Sequence, residues 1–192
     1  MQVIDVLERG IDEGTHIGTQ LYVSHRGAVV VDRALGDARA GVPMTTDTLM
    51  NWFSMTKPVT AIAVAQQWEA GALDIDEPAA RYVPEFAAHG KGEITIRHLL
   101  THTAGIPNGD GMLQGEPWGE SHAANLARLF DARPEYPAGT RAGYHAAAGM
   151  TVLGEVVERV GGVPYERYVR ERIFEPVGAF DCWVGMPESQ YA

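Results

Sequence analysis

A serine and a lysine lie three positions apart in the stretch NWFSMTKPVT, which spans residues 51–60 and opens a long apolar run. On a helix, residues i and i+3 share a face, so Ser54 and Lys57 would project together from the first turn. The positive field of a helix N-terminus and apolar surroundings both favour a neutral lysine, which can accept a proton from serine. The backbone N–H of Ser54 could also help to hold an oxyanion. This spacing suits a nucleophile and its base.

Ordinary helix-start chemistry is the alternative explanation of the same two residues. Serine is a favoured N-cap, and a lysine three residues later is common. The context favours catalysis, because a lysine in the first helical turn opposes the helix dipole. The helix predicted over Ser54 to Ala70 also leaves almost no polar face, so we expect it to be buried on most sides.

Composition and charge exclude several classes of function. The chain has 192 residues, 45% of them apolar, which is enough to form a core. Its formal net charge of -10 argues against nucleic acid or an anionic membrane as a partner. The single cysteine, Cys182, fits a reducing, cytoplasmic location. We expect neither a secretory signal nor a membrane span, since no apolar run approaches the ~20 residues required.

The sequence predicts no metal site and no organic cofactor. The histidines lack the spacing of metal ligands, and His98 and His102 lack the glutamate of the H-E-x-x-H motif. Glycine-rich stretches match neither the phosphate-binding loop nor the dinucleotide motif. We expect His102 to cap or pack within the turn LLTHTAG.

Hydrophobic periodicity predicts an α+β fold with an incomplete antiparallel sheet. A helix over residues 2–13 precedes two strand-like runs, Thr19 to Ser24 and Ala28 to Ala34, that form a hairpin. Residues 34–49 are rich in Gly, Pro and Thr and are predicted to be loop. Further helices are predicted over residues 95–100, 122–130, 149–160 and 164–174, and a strand is predicted to begin at Phe180 to Val184.

Three parts follow from this pattern. Residues 1–44 hold the N-terminal helix and hairpin, residues 45–178 form a mainly helical part, and residues 179–192 begin a returning strand. We expect the remaining strands of the sheet to be absent from these residues. An exposed edge recruits other strands, so a homo-oligomer or a complementing chain is the expected partner at that edge.

Three motifs in order resemble the serine β-lactamase and penicillin-binding-protein superfamily. They are FSMTKPVTAIAVAQQWEAGALDIDEP from residue 53, ITIRHLLTHTAGIP over 94–107, and a segment over 136–179 that contains GYHAAAG. The branch they most resemble is class C-like and includes β-lactamase-like esterases, transesterases and D-aminopeptidases. The resemblance covers the whole chain and is to the N-terminal portion of this family, with its β-lactamase/transpeptidase-like fold.

The resemblance implies a role for each of three residues. Ser54 matches the acylated nucleophile, Lys57 matches the lysine that shares its proton, and Tyr144 matches the general base that then protonates the leaving group. A phenol between two positive influences can ionise below its usual pKa near 10. Without the resemblance, a half-buried core tyrosine would be the ordinary explanation of Tyr144.

Two departures from the family pattern bear on the substrate. Many relatives carry Tyr-x-Asn, whereas this chain has Tyr144-His145-Ala146. The side chain of alanine cannot form a hydrogen bond with the amide of a substrate. This difference favours esters. His145 is a candidate substrate contact, with a solvated loop histidine as the alternative. Trp118 is a second candidate, with a surface aromatic as the alternative.

The family's third motif, Lys/His/Trp-x-Gly on a strand, is not found after Tyr144, and HGKG at residues 89–92 precedes the tyrosine. The sequence therefore leaves two hypotheses open. The first is a serine hydrolase or acyltransferase that acts on small esters or amides through an acyl-serine intermediate. The second is an N-terminal fragment or subunit of a split enzyme, inactive alone, or a non-catalytic binding module that needs a partner to complete the sheet.

Overall fold

The computed structural model describes residues 3–106 and 121–190, which form two compact units, Met1–Asn51 and Trp52–Ala192. Trp118 lies outside the described residues. The fold is mixed α and β with a small open antiparallel sheet, as the sequence predicted. Among the described residues, no helix has both the length and the apolar character needed to cross a bilayer.

The first unit is a helix followed by a three-stranded sheet in the order β1-β2-β3. Its elements are α1 (Val3–Asp12), β1 (Gly18–His25), β2 (Ala28–Arg39) and β3 (Val42–Pro43). The predicted hairpin is confirmed, and β1 pairs with β2 in antiparallel register from Gly18↔Gly36 to His25↔Ala28. Arg26 and Gly27 both have positive φ, 51° and 81°, as a tight hairpin turn that matches the strand twist requires.

The prediction of loop over residues 34–49 was wrong for its first half. Strand β2 continues to Arg39, and the chain turns back as β3. Glycine weakened the strand signal in the sequence, yet Gly36 is required by its position. A Cβ there would lie 2.3 Å from the carbonyl oxygen of Ile17, so only glycine lets the strands approach at this point.

The second unit is a helical assembly around one long helix. Its helices are α2 (Thr56–Glu69), α3 (Ile96–Leu100), α4 (His122–Asp131), α5 (Ala148–Gly161) and α6 (Tyr165–Val169). Helix α5 packs against α2, α3, α4 and α6. It buries the apolar positions Val152, Leu153, Val156 and Val157, which recur at helical spacing. The predicted positions of these helices are confirmed to within two residues at their starts.

Helix α2 is less buried than predicted. Val59, Ala63 and Val64 face the core, whereas Ile62 is 47% exposed and Trp68 is 50% exposed. The prediction that α2 is buried on most sides was therefore wrong, because an apolar composition does not show which faces of a helix have neighbours.

The strand predicted at Phe180 to Val184 was also wrong, since these residues form turns and bends. The Arg170 side chain donates a hydrogen bond of 2.6 Å to the carbonyl oxygen of Phe180, and its guanidinium lies 4.1 Å from the ring centre of Trp183. A carbonyl satisfied by a side chain in this way does not need a strand partner.

Lys91, from the HGKG stretch, links two segments of this unit by hydrogen bonds. Its side chain is buried, and Nζ donates to the carbonyl oxygens of Ala88, Phe130 and Ala132 at 2.7, 2.8 and 2.5 Å. Burial lowers the pKa of Lys91. The stretch is thus structural, because its lysine joins the turn after residue 84 to the end of α4.

We predict that Lys91→Met lowers the free energy of unfolding by about 2–5 kcal/mol, because three part-buried carbonyl groups lose the donor that the buried lysine supplies. Urea unfolding followed by circular dichroism measures this. The control is Arg81→Met, which removes an exposed ion pair with Glu77 and should cost under about 1 kcal/mol. Equal losses in the two variants would contradict the role assigned to Lys91.

Candidate active site

Ser54 lies in a short 3-10 turn, Phe53–Met55, directly before α2. The N-cap residue of α2 is Met55, and no side chain caps either this helix or the turn. The helix-cap explanation of Ser54 was therefore wrong. Phe53 has φ of 43°, a left-handed conformation that is unusual for an aromatic residue and that places a sharp bend just before the serine.

The side-chain oxygen of Ser54 lies between two polar groups. Lys57 Nζ donates to Ser54 Oγ at 2.8 Å, and Ser54 Oγ and Tyr144 Oη share a hydrogen bond of 2.6 Å. Lys57 Nζ also lies 4.9 Å from the centre of the Tyr144 ring. Three residues that are distant in sequence thus form one continuous hydrogen-bonded chain, with the serine in the middle.

The environment of Tyr144 favours its phenolate. Hydrogen bonds to Lys57, and then to Ser54, hold the pKa of Tyr144 below its ordinary value, and the positive charge of Lys57 acts in the same direction. Desolvation acts in the opposite direction but is smaller than the two hydrogen bonds, in keeping with a side chain that is 52% exposed. Tyr144 is thus suited to accept a proton from Ser54.

Tyr144 stands on a loop without regular structure, and the turn after α3 holds that loop in place. The N–H of Gly139 donates to the carbonyl oxygen of Thr103 at 2.9 Å, and the N–H of Glu135 donates to that of Gly105 at 2.8 Å. Gly105 has φ of 70°, and a Cβ there would lie 2.1 Å from the carbonyl oxygen of Tyr136. The motif LLTHTAG thereby positions the motif GYHAAAG.

A cavity of about 550 Å³ opens beside the serine. Small side chains of α5 and the loop before it form part of its wall, notably Ala146, Ala147 and Thr151. Its other residues include Phe53, Met150, Gly154, Glu158, Tyr165 and Val184. The wall as a whole is mainly apolar, so the cavity can accept an organic group beside Ser54.

The other predicted contacts are placed differently. His145 is 2% exposed, so a solvated loop histidine was the wrong alternative, and it does not line the cavity. Its ring nitrogens have no hydrogen-bond partner within the described part of the chain. Burial, followed by the proximity of His102, lowers the pKa of His145. Its assignment as a substrate contact stays a prediction, as does that of Trp118.

Sequence reasoning missed several residues of the site. Phe53 and Tyr165 line the cavity, and Tyr165 Oη is 2.6 Å from Thr60 Oγ1. His102, expected to cap or pack within its turn, also packs its ring against that of Tyr144, with 4.9 Å between the ring centres. The signal for Tyr165 was present, because it follows α5 within the third motif. Within residues 3–106 and 121–190, no cluster of His, Cys, Asp or Glu could hold a metal ion.

Comparison with known proteins gives the family of the chain. Residues 3–192 match the family model described as Beta-lactamase, and the chain belongs to this family. Esterase EstB from Burkholderia gladioli is 34% identical over 197 residues, which cover 92% of this chain and 49% of the esterase.

Solved structures give the same result. A penicillin-binding protein homologue from Caulobacter crescentus superposes with a TM-score of 0.77 at 34% identity, covering 97% of this chain and 50% of that protein. EstCE1, described as a hydrolase with promiscuous acyltransferase activity, has a TM-score of 0.79 at 30% identity, covering 92% of this chain and 50% of EstCE1. The chain spans about half the length of these relatives.

We predict that Lys57→Met raises the pKa of Tyr144 toward that of a free tyrosine, because the strongest cause of its lowering is removed. Absorbance at 295 nm, followed against pH, reports phenolate formation. The signal of Tyr144 is the difference between the wild-type protein and Tyr144→Phe. An unchanged difference titration in Lys57→Met would contradict this electrostatic assignment.

Proposed function

We propose that the site performs acyl transfer from a small ester through an acyl-serine intermediate. The observation that carries this proposal is the hydrogen-bonded chain from Lys57 through Ser54 to Tyr144. It contains a nucleophile, a base whose pKa is lowered, and a cation that stabilises the base, all within hydrogen-bond distance before any substrate binds.

In the proposed first half-reaction, the Tyr144 phenolate takes the hydroxyl proton of Ser54 as Oγ attacks the carbonyl carbon. The tetrahedral intermediate collapses, the bond to the leaving alkoxide breaks, and Tyr144 returns the proton to that alkoxide. Lys57 donates its hydrogen bond to Oγ and keeps the phenol acidic. The backbone N–H of Ser54, in the short 3-10 turn directly before α2, is the proposed donor to the oxyanion.

The second half-reaction repeats these steps with a new nucleophile. Water, or the hydroxyl of another acceptor, gives its proton to Tyr144 and attacks the acyl carbon. The ester bond to Ser54 then breaks, and Oγ recovers the proton. With water the products are an acid and an alcohol, and with another alcohol the product is a new ester.

Esters are favoured over amides by the composition of the wall. Ala146, two residues after the base, lines the cavity and offers no side-chain hydrogen bond to an amide. The wall of the cavity as a whole is mainly apolar, which suits an apolar acyl group. The names of EstB and EstCE1 support the same class of reaction for this chain.

The direct test uses short-chain p-nitrophenyl esters and a fluorophosphonate probe that labels activated serines. We expect turnover and stoichiometric labelling in the wild-type chain and neither in Ser54→Ala, because the attacking oxygen is gone. Tyr144→Phe should lower kcat by about 10²–10⁴-fold, the usual contribution of general base catalysis. Turnover that persists in Ser54→Ala would exclude Ser54 as the nucleophile.

A second candidate function is that of a subunit that becomes active only with a complementing chain. One observation favours it. The hairpin exposes apolar side chains, with Tyr22 63%, Val29 57% and Val30 62% exposed, and no described strand pairs with the outer edge of β1. Such an edge can accept a strand from another molecule.

Light scattering of the purified chain, combined with labelling, separates the two functions. A folded monomer that neither labels with the probe nor turns over ester supports the subunit hypothesis. An assembly of identical chains that labels fully indicates that copies of this chain complete one another. A monomer with full turnover contradicts the need for any partner.

We predict that Thr151→Phe changes the choice of acyl group, because Thr151 lies on the cavity wall formed by α5 and a larger side chain fills that volume. The ratio of kcat/KM for octanoate to that for acetate esters should fall about 10-fold or more. Thr151→Val separates loss of the hydroxyl from loss of volume. Equal effects on both esters would show that the acyl group lies elsewhere.

A further inference from the structure

We propose that His102 is a positioning residue that holds Tyr144 in place by binding the backbone on both sides of it. This inference rests on the proposed function in naming Tyr144 as the base. The contacts themselves belong to the turn after α3 and the loop before α5.

His102 accepts two hydrogen bonds, one from the residue before Tyr144 and one from the residue after it. The carbonyl oxygen of His102 accepts the N–H of Gly143 at 2.8 Å, and its ring Nδ1 accepts the N–H of His145 at 3.2 Å. Tyr144 is the single residue between these two donors. The His102 ring also packs against the Tyr144 ring at an interplanar angle of 55°, so the tyrosine is restrained in both its backbone and its side chain.

The backbone of His102 is itself in an uncommon conformation. Its φ is 57°, in the left-handed region, which is unfavourable for a non-glycine residue and persists only where the surroundings hold it. Asparagine and glycine tolerate this conformation better than most residues, yet neither offers a ring. The His102 side chain has two roles, because its Nδ1 accepts a hydrogen bond and its ring contacts that of Tyr144.

The contact requires an unprotonated Nδ1, so the ring proton of neutral His102 is on Nε2. Burial, and then the charge of Lys57, lower the pKa of His102. The titratable groups that face it are Lys57 from α2 and Tyr144 and His145 from the loop. A lowered pKa favours the neutral ring, so the contact is intact at neutral pH and is lost as the pH falls below the ordinary value for histidine.

The test compares two substitutions that both suit a positive φ. His102→Gly removes the ring and its acceptor, whereas His102→Asn places a carbonyl oxygen near the position of Nδ1. His89→Gly is the matched control, because His89 also has a left-handed φ, of 56°, and its Nε2 pairs with Asp131 outside the site.

We expect kcat for a p-nitrophenyl ester to fall about 10- to 100-fold in His102→Gly with little change in KM, since a base displaced by about 1 Å loses rate on this scale. His102→Asn should recover most of that loss, and His89→Gly should match the wild type. Equal loss in His102→Gly and His102→Asn, or no loss in either, would overturn the proposal.

Titration of Tyr144 at 295 nm tests the proposal independently of turnover, so it remains decisive even if the chain is not an esterase. The pKa of Tyr144 should rise in His102→Gly, because the phenol moves away from Lys57 and Ser54, and should stay low in His102→Asn. An unchanged pKa in His102→Gly would overturn the proposal.

If His102→Gly does not fold, nitrogen-15 NMR of the wild-type histidines gives the answer. The Nε2–H tautomer of His102 is expected, and an Nδ1–H tautomer, which cannot accept the N–H of His145, would overturn the proposal.

Discussion

The backbone hydrogen bonds between the turn after α3 and the loop before α5 are the constraint on which the candidate site depends. Ser54 and Lys57 are placed by one helix start, but Tyr144 belongs to a loop of its own. Gly139 and Gly143 donate to Thr103 and His102, and these bonds bring the phenol within 2.6 Å of the serine oxygen. Without them Ser54 would keep Lys57 beside it and lose its contact with Tyr144.

The electrostatics of the site follow from its position near the surface. Tyr144 is half exposed, so water still solvates its phenolate, while the hydrogen bond to Lys57 is the main cause that lowers its pKa. His102, which contacts the Tyr144 ring, and His145 are in the opposite situation. His102 and His145 are desolvated, and burial favours their neutral forms. The site thus combines a tyrosine whose pKa is lowered with two histidine rings whose neutral forms are favoured.

The sequence predicted the parts of this structure that depend on local pattern. Helical spacing located α1, α2 and α5, the turn residues located the hairpin, and motif order identified the three residues that meet at Ser54. It failed where the outcome depends on neighbours that are distant in sequence. The exposed face of α2, the burial of His145 and the loss of strand at Phe180 each depend on contacts that no local pattern encodes.

The left-handed conformation of Phe53 has a consequence for engineering of this chain. A bulky residue at φ of 43° stores conformational free energy beside the nucleophile, and its ring, 69% exposed, lines the cavity. Selection for heat resistance alone would favour glycine or asparagine here, because either relieves the strain. Such a variant would gain stability and remove an aromatic ring from the cavity wall, so stability and the shape of the cavity are coupled through a single backbone angle.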